Sequence, residues 1–423
     1  MTLPPQTSLT LSIASLVLPL SATSQAQEKP RGTPAPGSPW TYSVSAAVRE
    51  AWDDNVYLQD EGALANVDSL LTTVMPSFSV AYRPSSAFQG TFSYTPEASF
   101  YQNASEEDHL QHKMALNLSG KAGAVAWDLA NAVTDINGSG TGVIFPGQGG
   151  APAGNGVPIR DRRDATIDRH GFRLTYSLGR WFLRPNASLY LHDFQTRHSA
   201  AAGYGNYVDR WDANGGLDLG YRLFPDTAFT IGYRRGHQHQ AILLGNPIAY
   251  ANDYDRFLLG VEGKVLPWIK AAISAGPDVR DFQGLQAAAF DGDGAQIFAD
   301  CVVTLTPTKE DTVALTFRDY MQPGFGGRSI YTDATYEVTW KHKFTEQLTV
   351  GIGAKAYNAD FQPPVARNDW IYTGSAVISY AFNRQLSGEL SYSYDKSESA
   401  VPLSSGREFT RNFLALGIKY HFF

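Results

Sequence analysis

A chain of 423 residues has room for two or three globular domains or for one large barrel. Its mean hydropathy of -0.25 is that of a soluble protein, and no window holds the roughly 18 uninterrupted apolar residues that a membrane-spanning helix needs. The formal net charge of -7 is spread along the chain and leaves no basic footprint for nucleic acid, while a lone Cys301 excludes an intramolecular disulfide. The 22 tyrosines, 23 phenylalanines and 39 glycines suit short strands joined by glycine turns, with rings left over for membrane interfaces.

The first segment reads as an export signal. Leu9 to Leu20 is an apolar run, and Ser24-Gln25-Ala26 fits the small-x-small cleavage rule, which predicts a signal peptide over residues 1–26. Residues 1 to 8 hold no Lys or Arg, a departure from the usual basic start. Residues 27–39 are rich in proline and glycine and are expected to form a flexible periplasmic lead-in.

From Trp40 onward the dominant period is two. Phe88, Phe92, Tyr94, Ala98 and Phe100 share a face opposite Gln89, Thr91, Ser93, Thr95, Glu97 and Ser99. Further on, Leu217, Leu219 and Tyr221 alternate with Asp218, Gly220 and Arg222. Thr332, Ala334, Tyr336, Val338 and Trp340 oppose Asp333, Thr335, Glu337 and Lys341, and Leu386, Leu390, Tyr392 and Tyr394 oppose Ser387, Glu389, Ser391 and Asp395. A soluble sandwich would alternate too, so the connectors decide. Tight ones fall at Pro84-Ser85, near Gly120, at Gly179-Arg180, Phe224 to Asp226, Leu266-Pro267, Pro307 to Glu310, Thr345-Glu346 and Asn383-Arg384. Between them lie longer polar stretches, among them Asp53 to Val67, Ile136 to Ala165, Gln240 to Ala251 and Ser397 to Ser405. Alternating short and long connectors are the mark of a transmembrane barrel, with brief periplasmic turns and long external loops. The prediction is an all-β, antiparallel up-and-down barrel of about eighteen strands over residues 40–423, with no second domain.

The last strand supports this. Leu414, Leu416, Ile418, Tyr420 and Phe422 alternate and the sequence ends at Phe423, which resembles the signal read by the barrel-assembly machinery. Phe422 rather than Phe423 lies in register with the apolar face. Near the other end, Val48-Arg49-Glu50-Ala51-Trp52-Asp53-Asp54-Asn55-Val56-Tyr57-Leu58 resembles the opening of the Putative β-barrel porin type 2 family, where a strand runs into an aromatic-Asp-Asn-aliphatic segment. The resemblance implies an outer-membrane barrel of a Gram-negative bacterium, and some members of that family accompany exopolysaccharide export systems.

Candidate chemistry concentrates in three places. The connector from Ile136 to Ala165 is the third external loop and ends in Arg160, Asp161, Arg162, Arg163 and Asp164, a charge run that would set a transverse field at a constriction or else lie solvated on the surface. Turning polar strand faces inward lines the lumen with Arg49, Arg173, Arg184, Arg210, Arg222, Arg234, Arg256, Arg280 and Arg318, opposed by acids such as Asp128, Asp212, Asp218, Glu262, Asp278, Asp333 and Glu337. Arginines on the lipid side would cost roughly 2–4 kcal/mol each at mid-membrane. Such a wall gives weak anion preference, or braces the barrel with salt bridges. Acidic residues around the first loop (Asp53, Asp54, Asp60, Glu61, Asp68) lack the spacing of a calcium loop and are expected to be solvated. The pairs His237/His239 and His109/His112 have no nearby third ligand, and no catalytic motif is present, so neither metal, cofactor nor enzyme activity is expected.

The leading expectation is a diffusion channel for small solutes, embedded in lipid and lipopolysaccharide, with a homo-oligomer possible. The alternative is a docking or export barrel for polysaccharide, for which Tyr331, Tyr357 and Trp268 would offer stacking surfaces.

Overall fold

The computed structural model describes residues 38–138, 140, 162, 164–195, 207–242, 248–285, 290, 294–324, 329–400 and 408–423. The expected signal peptide and residues 27–37 of the lead-in lie outside these residues, as do Arg160, Asp161 and Arg163. The strands, in chain order, are β1 (Trp40–Asp53), β2 (Ser69–Ser85), β3 (Phe88–Tyr101), β4 (His109–Ala122), β5 (Val125–Asn137) and β6 (Ala165–Leu178). There follow β7 (Trp181–Phe194), β8 (Arg210–Phe224), β9 (Thr227–Gln240), β10 (Asn252–Leu266), β11 (Ile269–Phe282) and β12 (Gly294–Leu305). The set ends with β13 (Asp311–Pro323), β14 (Ile330–Lys343), β15 (Leu348–Phe361), β16 (Arg367–Ala381), β17 (Leu386–Ser399) and β18 (Phe409–His421).

Each strand pairs antiparallel with its sequence neighbour, and β1 pairs with both β2 and β18, so the 18-stranded sheet closes on itself. Closure removes the unpaired edges that an open sheet exposes. The expected connectors match the observed ones within a few residues; the turn expected near Gly120 falls at Gly123, whose φ of +59° suits glycine. The short turns share one end of the barrel with the start of β1 at Trp40, which pairs with Tyr82 beside the β2–β3 turn. Val44 donates its N–H to Phe423 O at 3.0 Å, and Phe422 donates to Val44 O at 2.9 Å, so both terminal phenylalanines continue the ladder onto β1.

The two faces of the wall differ as period-two alternation demands. Leu217, Leu219, Phe229, Ile231, Phe257, Leu259, Leu414, Leu416 and Ile418 all stand exposed on the outside, a belt that water would penalise and lipid would not. Rings gather at the turn end: Trp40 packs tilted against Tyr82 at 4.3 Å and Trp181 against Tyr221 at 4.8 Å, centroid to centroid. On the inner face, the Phe182 ring lies so close over Gly220 that a Cβ there would stand 1.9 Å from it, which is why that β8 position has no side chain.

One seam departs from this regularity. β12 pairs with β11 along its whole length, from Gly294 to Leu305, but with β13 only over Ala299–Leu305. Above Asp319 the β13 strand leaves β12 and stays paired with β14 up to Pro323.

Candidate functional site: the lumen and its narrowing

The inner face divides into two storeys. Toward the turn end, long side chains of β5 to β10 reach one another across several strands. Arg173 meets Asp128 at 3.3 Å, Arg234 meets Asp218 at 2.7 Å, and Arg184 lies 3.9 Å from Asp218 while also pairing with Glu262 of β10. Arg222 donates to Gly179 O at 3.1 Å and to Ser177 Oγ at 2.9 Å, both neutral acceptors. Arg173 and Arg234 keep part of their surface open, so their charge reaches the solution inside the barrel. Glu337 stands opposite Lys355 in the β14–β15 ladder.

Toward the loop end the same wall is filled. Arg256 and Arg280 share Asp278, each at 2.9 Å, and the Arg256 guanidinium lies between the rings of Tyr254 (4.1 Å) and Phe298 (4.4 Å). Tyr254 donates to Asp212 at 2.7 Å. What fills this storey is the departing end of β13. Arg280 donates to Met321 O at 2.8 Å, Arg210 to Pro323 O at 2.6 Å, Gln238 to Met321 O at 3.5 Å, and Gln240 to Gly324 O. Those donors belong to β8, β9 and β11, so the loop-end arm of β13 crosses the inside of the barrel to reach them. Met321 and Ile330, at the ends of β13 and β14, pack against Tyr250, Phe282 and Phe290 from the loop ends of β10 and β11. Behind the arm, Gln322 donates to Asp333 at 2.5 Å, and Tyr331, Tyr357, Ala359 and Ile371 close into a second buried cluster.

Of the charge run at the base of the third loop, Arg162 and Asp164 are described. Arg162 is 2 % exposed and pairs with Glu107 of the second loop at 3.3 Å, and burial lowers its pKa from the ordinary arginine value. Asp164 accepts from Gly138 N–H at 2.7 Å, tying the two ends of the third loop together. Tyr331 and Tyr357 are 1 % and 0 % exposed, packed within the wall rather than offered to a sugar, and Trp268 sits exposed in the β10–β11 turn. The residues that narrow the loop end (Gln238, Gln240, Gln322, Met321, Pro323) carry no motif. Pro323, ending a strand without an N–H to donate, is the one signal in sequence that the ladder stops there.

The acidic first loop is in part not solvated. Asp53 is 2 % exposed and takes both guanidinium bonds of Arg411, at 2.9 and 2.6 Å, from β18. Asp54 holds Asn412 through N–H and amide at 2.6 and 2.7 Å. Asn55, fully buried, donates to Thr410 O at 2.9 Å and to Asp60 at 3.2 Å. The Trp52 to Leu58 segment therefore fastens the closing seam and turns the first loop inward, where Val56, Tyr57, Leu64 and Val67 pack with Ala104 and Tyr101. Its partners lie some 350 residues away in sequence, out of reach of any local reading. His237 and His239 share a face, with rings 6.5 Å apart beside Trp211, and no group of three metal-ligating side chains occurs among the described residues.

Residues 297–422 match the family described as "Putative beta-barrel porin 2", so the resemblance drawn from residues 48–58 is met again at the other end of the chain. No curated protein sequence matches the chain. Among solved structures, the chain is similar to the outer membrane protein OpdK of Pseudomonas aeruginosa, at 12 % identity and TM-score 0.43, over 90 % of this chain and 99 % of that one. It is similar to OccAB3 of Acinetobacter baumannii at 10 % identity and TM-score 0.45, over 90 % and 99 %. The siderophore receptor PirA of Pseudomonas aeruginosa matches at 8 % identity and TM-score 0.40, over 90 % of this chain and 80 % of that one.

Proposed function

We propose that this chain is an outer-membrane channel of a Gram-negative bacterium, through which small solutes diffuse past a polar, arginine-rich wall. The observation that carries the reading is the partition of the wall: an apolar outer belt around a closed barrel, with Arg173, Arg184, Arg222 and Arg234 on the inner face of four strands. In that turn-end storey Arg173, Arg184, Arg222 and Arg234 face three carboxylates, Asp128, Asp218 and Glu262, so among these residues positive charge is in slight excess on the part of the wall that β13 does not fill. A low-dielectric wall focuses such a field, and anions are favoured weakly. Transport needs no cofactor and no covalent step. Export of a polysaccharide is the less favoured reading, because Tyr331 and Tyr357 are packed away from the passage.

The test is single-channel conductance of the refolded protein in a planar bilayer, with the reversal potential taken across a potassium chloride gradient. The expected outcome is a steady conductance with mild chloride preference, reduced when Arg173 and Arg222 are replaced by serine. A cation-selective pore, or a preference indifferent to both arginines, would overturn the assignment of the wall. The selectivity role of Arg160, Asp161, Arg162, Arg163 and Asp164 is a separate proposal: replacing Arg160, Arg162 and Arg163 together should shift the same reversal potential, and no shift removes the third loop from the filter.

A further inference from the structure

The end of β13 has a second seat available to it. In the antiparallel ladder, residues alternate between pairs that exchange backbone hydrogen bonds and pairs that turn those groups to the opposite neighbour. Gly324 donates to Ser329 O at 2.9 Å, so Gly324 and, by alternation, Gln322 and Tyr320 bond to β14. Met321 and Pro323 then turn their carbonyls away from β14, toward the side where β12 would lie. Those are two of the carbonyls that Arg280, Gln238 and Arg210 cap. Long side-chain donors are doing there what a neighbouring strand does elsewhere in the barrel.

The other half of the broken ladder is intact and in register. Thr306 donates to Trp268 O, so even-numbered residues of β12 bond toward β11 and odd-numbered ones toward β13. Ala295 and Ile297 thus direct their backbone groups at the space β13 has left. Continuing the observed pair Ala299–Asp319 by two residues sets Ile297 opposite Met321, and by two more sets Ala295 opposite Pro323. Side-chain polarity agrees: Ile297 is 69 % exposed on the outer face, where Met321 would join it, and Gln296 would meet Gln322 on the inner face. Pro323 would forfeit nothing, having no N–H.

We infer that the loop-end arms of β13 and β14 (320–324 and 329–333) exchange between two seats. In the inward seat Arg210, Gln238, Gln240 and Arg280 hold the β13 carbonyls and the lumen is narrowed. In the wall seat Ile297 and Ala295 supply the N–H groups, the ladder is complete, and the loop end is open. The gating role rests on the channel reading proposed above, whereas the exchange itself does not.

Disulfide trapping separates the two. In a Cys301→Ser background, Ile297→Cys with Met321→Cys creates a pair that only the wall seat brings together, since a hydrogen-bonded antiparallel pair stands about 5.5 Å apart between Cα atoms, within disulfide range. The native Cys301 with Phe317→Cys, an opposed pair in the zipped part of the same seam, is the control. Mild oxidation in membranes is expected to link both pairs, and the Ile297/Met321 pair about tenfold faster once Arg210→Gln and Arg280→Gln weaken the inward seat. The linked barrel should conduct more than the reduced one, reversibly with dithiothreitol. If the control links and the Ile297/Met321 pair does not, even with both arginines replaced, the exchange is wrong. Linkage without a change in an existing conductance overturns the gate. Linkage in a barrel that never conducts upholds the exchange and overturns the channel reading instead.

Discussion

Two seams of this barrel invert the expectation from sequence distance. β1 and β18 lie at opposite ends of the chain, yet they pair from Ser45–His421 to Asp53–Phe413 and are fastened at the loop end. β12 and β13 are sequence neighbours joined by a short turn, yet they part above Ala299–Asp319. The difference lies in the side chains at the loop end. At the closing seam, Asp53, Asp54 and Asn55 from one strand meet Arg411, Asn412 and Thr410 from the other, so separating the strands would strand charges and amides in a buried site. At the β12–β13 seam the inner-face ion pair Arg318–Asp300, at 3.3 Å, is the last before the split, and the carbonyls beyond it accept from arginine and glutamine side chains of β8, β9 and β11. A hydrogen-bonded ladder holds where its side chains leave the backbone no other partner.

The largest effect that would break this comparison is at the closing seam. Arg411→Ala leaves Asp53 buried without its guanidinium and removes the contact to Asp395, and should lower stability by about 3–5 kcal/mol. Urea unfolding of the barrel in lipid vesicles, followed by tryptophan fluorescence, measures it; a loss under about 1 kcal/mol would mean that the backbone ladder alone secures the closure. Next in size, Asn55→Ala removes the donor to Thr410 O and the acceptor for Gln59 N–H, and should cost about 1–3 kcal/mol in the same assay. The smallest effect concerns single amides: the Ile297 N–H should exchange with deuterium at least about tenfold faster than that of Val303, which lies in the zipped part of the same strand. Equal protection would place the two halves of β12 in one cooperative ladder.

Much of the fold was legible in sequence because a barrel wall is built from local rules. Alternation such as Leu217, Asp218, Leu219, Gly220 sets faces, and turn residues such as Gly179 set connectors, each within a few positions. The site was less legible. The polar faces name Arg184 and Asp218, but not that Arg184 reaches Glu262 on β10, because the tilt that brings them together is a property of the closed barrel. Asp53 reads as a solvated loop acid until β18 arrives with Arg411.

The sequence by itself therefore determined the class of wall, its strand number and which face of each strand is polar, since period-two alternation and connector length act over ten residues at a time. Only the tertiary structure decided where the passage narrows. That choice depends on whether Met321 and Pro323 carbonyls take N–H groups from β12 or guanidinium and amide groups from β8, β9 and β11, a competition between donors that meet only once the barrel has closed.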